Sequence, residues 1–310
     1  MRLATSLCER GQLVGANGKP ERIDQVVLFD RVAADLQGAD PRLTSLAGDV
    51  CDSADLSRAI AGGVNSVFHL AAVVSGQAEQ DFDLGMRVNV DAARLLLEAL
   101  RQAGGCPRVV FTSSVAVYGG KLPELVTDET AQLPQSSYGA QKAIGELLLQ
   151  DFSRKGFVDG RIARLPTITV RPGRPNQAAS SFVSSIIREP VNGERACCPV
   201  NPSTAIWVSS PEVAIANIVQ LHDLDRLALG RNRAVNLPGL SVTAQQMVDA
   251  LRATCGAACA DRVDWAFEQR IQDIVGTWPQ AWDTQRGLSL GMQADAGITA
   301  LIQQYTRSLG

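Results

Sequence analysis

Residues 108–142 read RVVFTSSVAVYGGKLPELVTDETAQLPQSSYGAQK, and this stretch decides the fold. It opens with an apolar, β-branched run, Arg108–Thr112, which predicts a buried strand that leads into two serines. It ends at the start of an amphipathic pattern over Ser137–Phe152, which predicts a helix. On that helix Tyr138 and Lys142 lie one turn apart and share a face. The stretch therefore predicts a strand, a polar loop and a helix that carries a tyrosine and a lysine side by side.

The same alternation of apolar strands and helical patterns extends over the first half of the chain. Further strands are predicted at Gln25–Asp30, Leu43–Leu46, Ser66–Val74 and Arg164–Val170, and a further helix at Asp91–Gln102. Strands without polar alternation are buried on both faces, and strands that alternate with helices form a parallel sheet. We therefore expect an α/β fold with a doubly wound parallel sheet over residues 1–172.

The second half is less regular and predicts a smaller lobe. Residues 173–310 are expected to form mainly this C-terminal lobe, with 206–238 returning to the sheet. The predicted elements are Ser181–Ile187, Trp207–Leu221, Ala234–Leu237 and Val242–Ala253, the last with Thr243 and Gln246 at the spacing of a capping box. Such a lobe would lie over the carboxyl ends of the strands, where open α/β folds bind ligands.

Composition narrows the classes of function. Of 310 residues 45% are hydrophobic, and 29 Lys and Arg against 32 Asp and Glu give a net charge of -3, whereas a protein held on nucleic acid by bulk charge is basic. No apolar run approaches the roughly 18 residues of a membrane span, and the N-terminus has no signal-peptide core. The seven cysteines include no CxxC pair, and there are two histidines. We therefore expect reduced thiols in the cytoplasm and no metal site.

Tyr138 and Lys142 fit a proton transfer. A tyrosine with its usual pKa of about 10 is a poor base at neutral pH, but a neighbouring ammonium stabilises the phenolate, so that Tyr138 could take a proton from a substrate alcohol. Ser114, where the strand ends, would face the ligand crevice and hydrogen-bond the reacting oxygen. Each feature also has a plain structural interpretation, namely a surface helix with a solvated lysine and a serine pair that terminates a strand.

Residues upstream of this strand extend the predicted site. The small side chains of Ala71 and Ala72 would let a flat cofactor approach the backbone, or they would simply pack a helix on the sheet. Asn89 is either the N-cap of the following helix or an internal side chain that helps to hold a proton-relay water.

The ordered motifs GDVCD, HLAA, FTSSVAVYG, YGAQK and RLPTITVRPG resemble the extended short-chain dehydrogenase/reductases over nearly the whole chain. The resemblance implies a Rossmann-like NAD-binding domain. The residues that match the catalytic positions of that family are Ser114, Tyr138, Lys142 and Asn89. More narrowly, the sequence is similar to members that use NAD to oxidise the C2 hydroxyl of a four-carbon sugar acid, D-erythronate. The resemblance also implies a homodimer through the helices at Asp91–Gln102 and Ser137–Phe152.

The resemblance assigns cofactor roles as well. Asp30 ends a strand where a carboxylate accepts both adenine-ribose hydroxyls and repels a 2′-phosphate, which favours NAD over NADP. Arg31 could weaken this preference, and Asp30 could instead cap a turn. Asp49 would lie near the adenine amino group or be an exposed turn carboxylate. The full cofactor set is Asp30, Asp49, Val50, Leu70, Ala71, Ala72, Tyr138, Lys142, Pro166 and Thr167.

A sugar-acid substrate needs a partner for its carboxylate. Ser75, Arg174 and Arg188 are candidates, and each could equally be structural. Trp207 would either wall the pocket or fill core. The substrate-binding set predicted from the sequence is Ser75, Ser114, Tyr138 and Arg174.

The chain departs from the family at its start, where a glycine-rich turn normally seats the pyrophosphate. Its first residues have the pattern of a helix interior, and Gly11, Gly15 and Gly18 follow that helix in a loop. The family strand between those predicted at Gln25–Asp30 and Ser66–Val74 is missing, which predicts two unpaired edges. Either the first methionine is internal to a longer chain, or the chain is truly truncated and impaired in folding and cofactor binding.

Two other functions stay open at this point. A sugar-nucleotide epimerase or dehydratase of the same superfamily would use the same serine, tyrosine, lysine and NAD. The loop Gly173–Ser180 with Arg188 is short of the basic residues expected for a nucleotide diphosphate. A non-catalytic Rossmann-like protein is suggested by the missing glycine turn.

Overall fold

The computed structural model describes residues 1–173 and 178–309, which form thirteen strands and fourteen α-helices. The strands are β1 Gln12–Val14, β2 Pro20–Arg22, β3 Val26–Asp30, β4 Leu43–Ala47, β5 Ser66–His69, β6 Arg108–Ser114, β7 Asp159–Leu165, β8 Thr167–Ile168, β9 Ala196–Cys198, β10 Ala205–Ser209, β11 Ala234–Asn236, β12 Leu240–Thr243 and β13 Val263–Trp265.

The α-helices are α1 Arg2–Arg10, α2 Ser53–Ala59, α3 Ser75–Gln80, α4 Phe82–Gly85, α5 Ala92–Ala103, α6 Ser137–Arg154, α7 Ser181–Val191, α8 Pro211–Asp223, α9 Arg226–Leu229, α10 Ala244–Cys255, α11 Ala257–Ala260, α12 Gln269–Val275, α13 Gln285–Ser289 and α14 Ile298–Arg307. A π-helical stretch, Met86–Asp91, leads into α5, and a short 3₁₀ turn, Val115–Val117, follows β6.

The central sheet has four parallel strands in the order β11, β7, β6, β5. Val109 and Phe111 of β6 pack in a core with residues of α5 and α6, whereas Val110 packs with Ile218 and Leu221 of α8 on the other face. Because both faces are covered, β6 has no polar alternation. The doubly wound parallel sheet predicted from the sequence is confirmed.

β3 and β4 form a separate parallel pair in register from Val26 to Asp30. Within residues 1–173 and 178–309, no backbone pairing joins β3 to β5. Side chains span the interval instead, because Val26 and Phe68 both pack against the cluster around Leu7. The two facing edges that the sequence predicts are therefore present, and Val27 of β3 is 39% exposed.

Two strands have other bounds than the sequence predicts. The strand expected at Ser66–Val74 ends at His69, whose carbonyl oxygen accepts a bond from the Thr112 hydroxyl at 3.1 Å. The strand expected at Arg164–Val170 begins earlier, as β7, and breaks at Pro166, which has no backbone N–H to donate. The short β8 beyond it pairs with β10 in a different sheet.

The C-terminal lobe rests on a three-stranded sheet in the order β12, β10, β8 and a parallel pair of β9 and β13. Its core lies among α7, α10 and α14, where Ile186, Met247 and Leu301 are buried. The predicted capping box opens α10. Thr243 Oγ1 accepts the Gln246 N–H at 3.1 Å, and Gln246 Oε1 accepts the Thr243 N–H at 2.8 Å.

The segment 206–238 returns to the central sheet only in part. β11 pairs with β7, and α8 packs on the sheet. β10, however, pairs with β8 and β12 in the lobe. The division of the chain near residue 172 into a cofactor domain and a substrate lobe remains a prediction.

The glycines near the start lie where the sequence predicts them, after the first helix. α1 ends at Gly11, whose φ of 72° is left-handed. Gly15 and Gly18 lie in the hairpin between β1 and β2. None of the helices in the described ranges is long and apolar enough to cross a membrane.

Candidate active site

Tyr138 and Lys142 lie in the first turns of α6, beside the end of β6. The helix starts after Ser136, whose Oγ accepts the N–H of Gly139 at 3.2 Å, so a serine cap fixes where the helix begins. Lys142 Nζ donates to the carbonyl oxygen of Thr112 at 2.8 Å and lies 5.7 Å from the ring centroid of Tyr138. The two side chains share one face of the helix, and the ammonium is held against the strand.

Burial is the main influence on the protonation of this pair. It raises the pKa of Tyr138 to about 12, while the hydrogen bond from Ser114 and the charge of Arg171 act in the opposite direction. Burial also lowers the pKa of Lys142 to about 8, against the attraction of Glu146. The sequence assigned the stabilisation of a Tyr138 phenolate to Lys142. In the structure the Lys142 ammonium donates to Thr112, while Ser114 and Arg171 lower the pKa of Tyr138, and the role of Lys142 in stabilising the phenolate stays a prediction.

Ser114 is the last residue of β6 and has the strand-terminating role that the sequence offers for it. Its Oγ accepts the N–H of Ala116 at 3.1 Å, which caps the 3₁₀ turn after the strand. Its side chain also lowers the pKa of Tyr138, against the larger effect of burial. The serine therefore terminates the strand, and its hydrogen bond to a reacting oxygen stays a prediction.

Asn89 is an internal side chain and not a helix cap. It lies in the π-helical stretch before α5 and is only 2% exposed. Its Oδ1 accepts the Val73 N–H at 2.8 Å, and its Nδ2 donates to the Val73 carbonyl at 3.1 Å and to Gln141 Oε1 at 2.7 Å. Asn89 thus ties the segment after HLAA to α6 at the residue preceding Lys142.

A buried polar network supports α6 one turn beyond Lys142, and the sequence reasoning missed it. Glu146 is fully buried, and Arg164 of β7 donates to its carboxylate from Nε at 3.0 Å and from Nη2 at 2.7 Å. Ser113 and Gln132 donate to the same carboxylate. The i, i+4 spacing of Lys142 and Glu146 was the available signal.

Asp30 and Asp49 lie at neighbouring strand ends, where the Gly48 N–H donates to the Asp30 carbonyl at 2.9 Å. Asp30 Oδ1 accepts the N–H of Arg31 at 2.6 Å, a local contact in the turn after β3, and its ribose-binding role stays a prediction. Asp49 Oδ1 accepts the Cys51 N–H at 2.9 Å, and this bond holds the pKa of Asp49 below its usual value. Both carboxylates are exposed, so they fit the hydroxyl and amino groups of an adenosine.

The other predicted cofactor residues line the ends of the central strands. Leu70 is 49% exposed directly after β5, and Ala71 and Ala72 are half-buried. Pro166 and Thr167 are buried where β7 gives way to β8. Val50, beside Asp49, is half-buried. The contacts of these residues with a dinucleotide stay predictions.

The predicted partners for a substrate carboxylate differ in their placement. Ser75 is buried at the start of α3, and its Oγ accepts the Ala179 N–H at 3.2 Å. Arg174 lies outside the described residues. Arg188 is buried and donates to Glu189 Oε1 at 2.6 Å, so its positive charge is paired with a carboxylate of the protein itself.

Trp207 is 8% exposed and packs beside Trp282 at 5.9 Å between ring centroids, so it fills core. Arg171 is a half-buried cation that interacts with Tyr138, and the sequence reasoning missed it. Its position directly after the β8 segment, in TVRPG, was the available signal.

A doubly wound parallel sheet with a serine at a strand end, a tyrosine and lysine on the next helix and an acidic residue at the end of β3 is typical of nucleotide-dependent enzymes of the short-chain dehydrogenase/reductase class. The chain belongs to the NAD dependent epimerase/dehydratase family, whose profile matches residues 16–217.

Two relatives carry the name D-erythronate dehydrogenase. The one from Cupriavidus necator is 57% identical over 311 residues, which cover 100% of this chain and 95% of that protein. The one from Haemophilus influenzae is 44% identical over 283 residues, covering 91% and 90%. A solved structure, the nucleoside-diphosphate-sugar epimerase from Agrobacterium tumefaciens, matches with a TM-score of 0.91 at 37% identity and covers 99% of this chain and 90% of that one. These findings confirm the resemblance, the fold class and the NAD cofactor.

Proposed function

We propose that this protein oxidises the C2 hydroxyl of D-erythronate to the 2-oxo acid, with NAD as the oxidant. The observation that carries the proposal is the placement of Ser114 at the end of β6 and of Tyr138 in the first turn of α6, a helix that Lys142 ties to the same strand through the Thr112 carbonyl at 2.8 Å. It offers a secondary alcohol one hydroxyl that can donate and one that can accept. Two nearly full-length relatives named D-erythronate dehydrogenase support the choice of substrate.

In this proposal the residues of the site handle the proton. Tyr138, as the phenolate, takes the proton from the C2 hydroxyl, and Ser114 donates to the same oxygen while it becomes a carbonyl. NAD, when bound, accepts the hydride that leaves C2. Lys142, anchored on Thr112, keeps a positive charge beside the tyrosine ring. Asn89 holds the backbone of Val73 and thereby the segment that carries Ala71 and Ala72.

The same proposal assigns the cofactor contacts. Asp30 would accept the adenine-ribose hydroxyls, and Asp49 the adenine amino group. Lys142 would contact the nicotinamide ribose, and Thr167 would lie beside the nicotinamide. Asp30 is exposed, and none of the described residues forms an ion pair with it, so its carboxylate is accessible to a ribose.

The direct test follows the near-ultraviolet absorbance of NADH while the protein is incubated with NAD and a panel of sugar acids. We expect D-erythronate to give the fastest turnover, and four-carbon acids with other configurations at C2 to react more slowly. A protein that melts cooperatively and binds NAD, yet forms no NADH with any sugar acid, would contradict the proposal.

An epimerase remains the second candidate, because the Agrobacterium structure with 37% identity carries that name. An epimerase returns the hydride to its substrate and accumulates no NADH. Incubation with nucleotide sugars, followed by separation of the products, distinguishes the two activities. Conversion of a nucleotide sugar without net NADH would favour the epimerase.

We also propose a homodimer in which α5 and α6 pair with those of a second copy. Ile144 and Leu147 of α6 are 38% and 62% exposed, which is unusual for two apolar residues three positions apart on a helix. Light scattering on the purified protein should give twice the mass of one chain. A monomer at micromolar concentration would contradict the pairing.

We propose, finally, a cytoplasmic location. All seven cysteines are free thiols in the structure, and free thiols are typical of a reducing compartment. Cell fractionation with an antibody against the protein would check it.

A further inference from the structure

The proposed substrate class puts a negative charge beside the reacting atom. In a 2-hydroxy acid, the carbon that carries the hydroxyl is bonded directly to the carboxylate carbon. When that hydroxyl faces Tyr138, the carboxylate must lie close to the same tyrosine. A site that selects such acids therefore needs a cation near Tyr138 that is not already paired with a protein carboxylate.

Arg171 meets both conditions. It follows β8 and the buried Val170, and its positive charge lowers the pKa of Tyr138. The side chain is half-buried, and within residues 1–173 and 178–309 no carboxylate forms an ion pair with it.

The backbone of Arg171 is fixed from both sides by α7. Its N–H donates to Ser184 Oγ at 3.1 Å, and its carbonyl oxygen accepts a bond from Arg188 Nη1 at 2.8 Å. Arg188 in turn is neutralised by Glu189. The guanidinium of Arg188 thus positions Arg171, and the guanidinium of Arg171 is left to meet a ligand.

The electrostatics of Arg171 also favour a bound anion. Burial lowers the pKa of Arg171, and the like charge of Arg188 acts in the same direction. A partly desolvated guanidinium without a counter-ion is unfavourable. A carboxylate would relieve this through two parallel N–H···O bonds, a geometry that arginine provides and lysine does not.

We propose that Arg171 binds the carboxylate of the sugar-acid substrate and thereby selects 2-hydroxy acids over uncharged polyols. The inference rests on the proposed function, since it names the residue that would recognise the substrate of the same site. It differs from the prediction from sequence, which placed this contact at Arg174, Arg188 or Ser75.

The test compares D-erythronate with erythritol, its uncharged four-carbon analogue, in the wild type and in Arg171→Gln, Arg171→Lys and Arg154→Gln. Arg154 is an exposed arginine of α6 paired with Asp151, and its variant controls for the loss of a positive charge. We expect Arg171→Gln to lower kcat/KM for D-erythronate about 100-fold, mainly through KM, because charge-assisted hydrogen bonds are lost. Erythritol has no carboxylate, so a fall in kcat/KM of Arg171→Gln that is equal for erythritol and D-erythronate measures the effect of the Arg171 charge on Tyr138.

Arg171→Lys separates charge from geometry. It keeps a cation near Tyr138, so the pH profile of kcat should stay close to that of the wild type, while KM for D-erythronate rises about tenfold. If Arg171→Gln melts well below the wild type, the KM of Arg171→Lys for D-erythronate tests the role of Arg171 instead.

A binding measurement gives a second readout that needs no turnover. D-erythronate added to the complex with NADH, which cannot oxidise it, should raise the Tm of the wild type and of Arg154→Gln but not that of Arg171→Gln. If the wild type oxidises D-erythronate while Arg171→Gln keeps the KM and the rise in Tm, the assignment of Arg171 is overturned and the proposed function stands. If the wild type oxidises no sugar acid, both fall together.

Discussion

The two parallel-strand regions of this molecule follow the same sequence pattern and end in very different environments. β6 and β7 pair on both edges and are buried on both faces, and they carry Ser114 to the tyrosine of α6. β3 pairs only with β4 among the described residues, is partly exposed along its length, and carries Asp30 at its end. An apolar run that ends in a polar residue predicts a strand in both places.

The difference shows what that pattern leaves undetermined. Val110 of β6 is fully buried, whereas Val27 of β3 is 39% exposed, although both lie in apolar, β-branched runs. Burial depends on neighbouring strands and covering helices, which come from other parts of the chain. The region that handles the proposed chemistry is thus rigidly packed, and the region proposed to hold the adenosine is held by fewer partners.

The largest expected effect is on catalysis in the packed region. Tyr138→Phe removes the proposed proton acceptor and keeps the ring, so kcat should fall by about 10²–10⁴-fold. The melting curve should stay close to that of the wild type, because the hydroxyl of a half-buried side chain is all that is lost. Steady-state NADH formation measures the first quantity. An unchanged kcat in a normally folded variant would remove Tyr138 from the site.

Glu146→Gln should give the largest loss of stability. The substitution leaves the Arg164 guanidinium buried without its carboxylate, and breaking such a pair from one side costs about 3–5 kcal/mol. Denaturant unfolding gives the change in free energy. Glu98→Gln is the matched control, because Glu98 forms a partly exposed ion pair with Arg101 on α5 and should cost no more than about 1 kcal/mol. Equal losses would mean that the buried network adds nothing beyond a surface pair.

Matched valine truncations test the comparison of the strands directly. Val110→Ala empties a fully buried position and should cost about 2 kcal/mol of unfolding free energy. Val27→Ala removes the same methyl groups from a 39% exposed side chain and should cost under about 0.5 kcal/mol. Both are read from denaturant unfolding. Similar losses would indicate that β3 is covered in solution.

His69 extends the comparison to pH, since it ends the strand β5 that faces β3. Burial lowers the pKa of His69 from 6.5 to about 3, with the charge of Lys142 in the same direction. Between these values the unfolded chain binds a proton that the folded chain does not, so stability falls as the pH falls through this window, by at most about 1.4 kcal/mol per pH unit. The variant His69→Leu should show a shallower fall in unfolding experiments between pH 6.5 and 4. An equally steep fall would mean that His69 is charged in the folded state.

Much of the fold could be predicted from the sequence because its strands are local apolar runs. The bounds that were wrong depend on distant partners. β5 stops at His69, whose carbonyl oxygen accepts a bond from the Thr112 hydroxyl, and Pro166 splits the strand expected at Arg164–Val170. The π-helical stretch around Asn89 had no signal in the apolar pattern, since it depends on the bonds of that side chain to Val73.

Among the site residues, too, those that lie on one element could be predicted from the sequence and those that depend on distant elements could not. The spacing of Tyr138 and Lys142 on one helix was visible in the sequence, because a helix fixes which residues share a face. The ion pair of Glu146 with Arg164 joins segments 18 residues apart, and the effect of Arg171 on the pKa of Tyr138 joins segments 33 residues apart, so both depend on the fold. Sequence spacing can identify residues within one element, whereas the groups that support them from other elements have to be located in the structure.

The smallest expected effect concerns the exposed region and the choice of cofactor. Asp30→Ala should weaken NAD binding about tenfold, because two hydrogen bonds from ribose hydroxyls to a solvent-exposed carboxylate contribute only modestly. NADP binding should change less or improve, because the carboxylate no longer repels a 2′-phosphate and Arg31 beside it can attract one.

Titration of the protein with each cofactor gives the ratio of the two Kd values, and Asp24→Ala, which removes an exposed carboxylate from the ion pair with Arg22, is the control. The melting temperature without cofactor should not change, since the Asp30 side chain is exposed and bonds only to the N–H of Arg31 among the described residues. An equal loss of affinity for both cofactors would mean that the Asp30 carboxylate shapes the turn after β3 and does not bind the ribose. The exposed pair of β3 and β4 would then support the site without contacting the cofactor through Asp30.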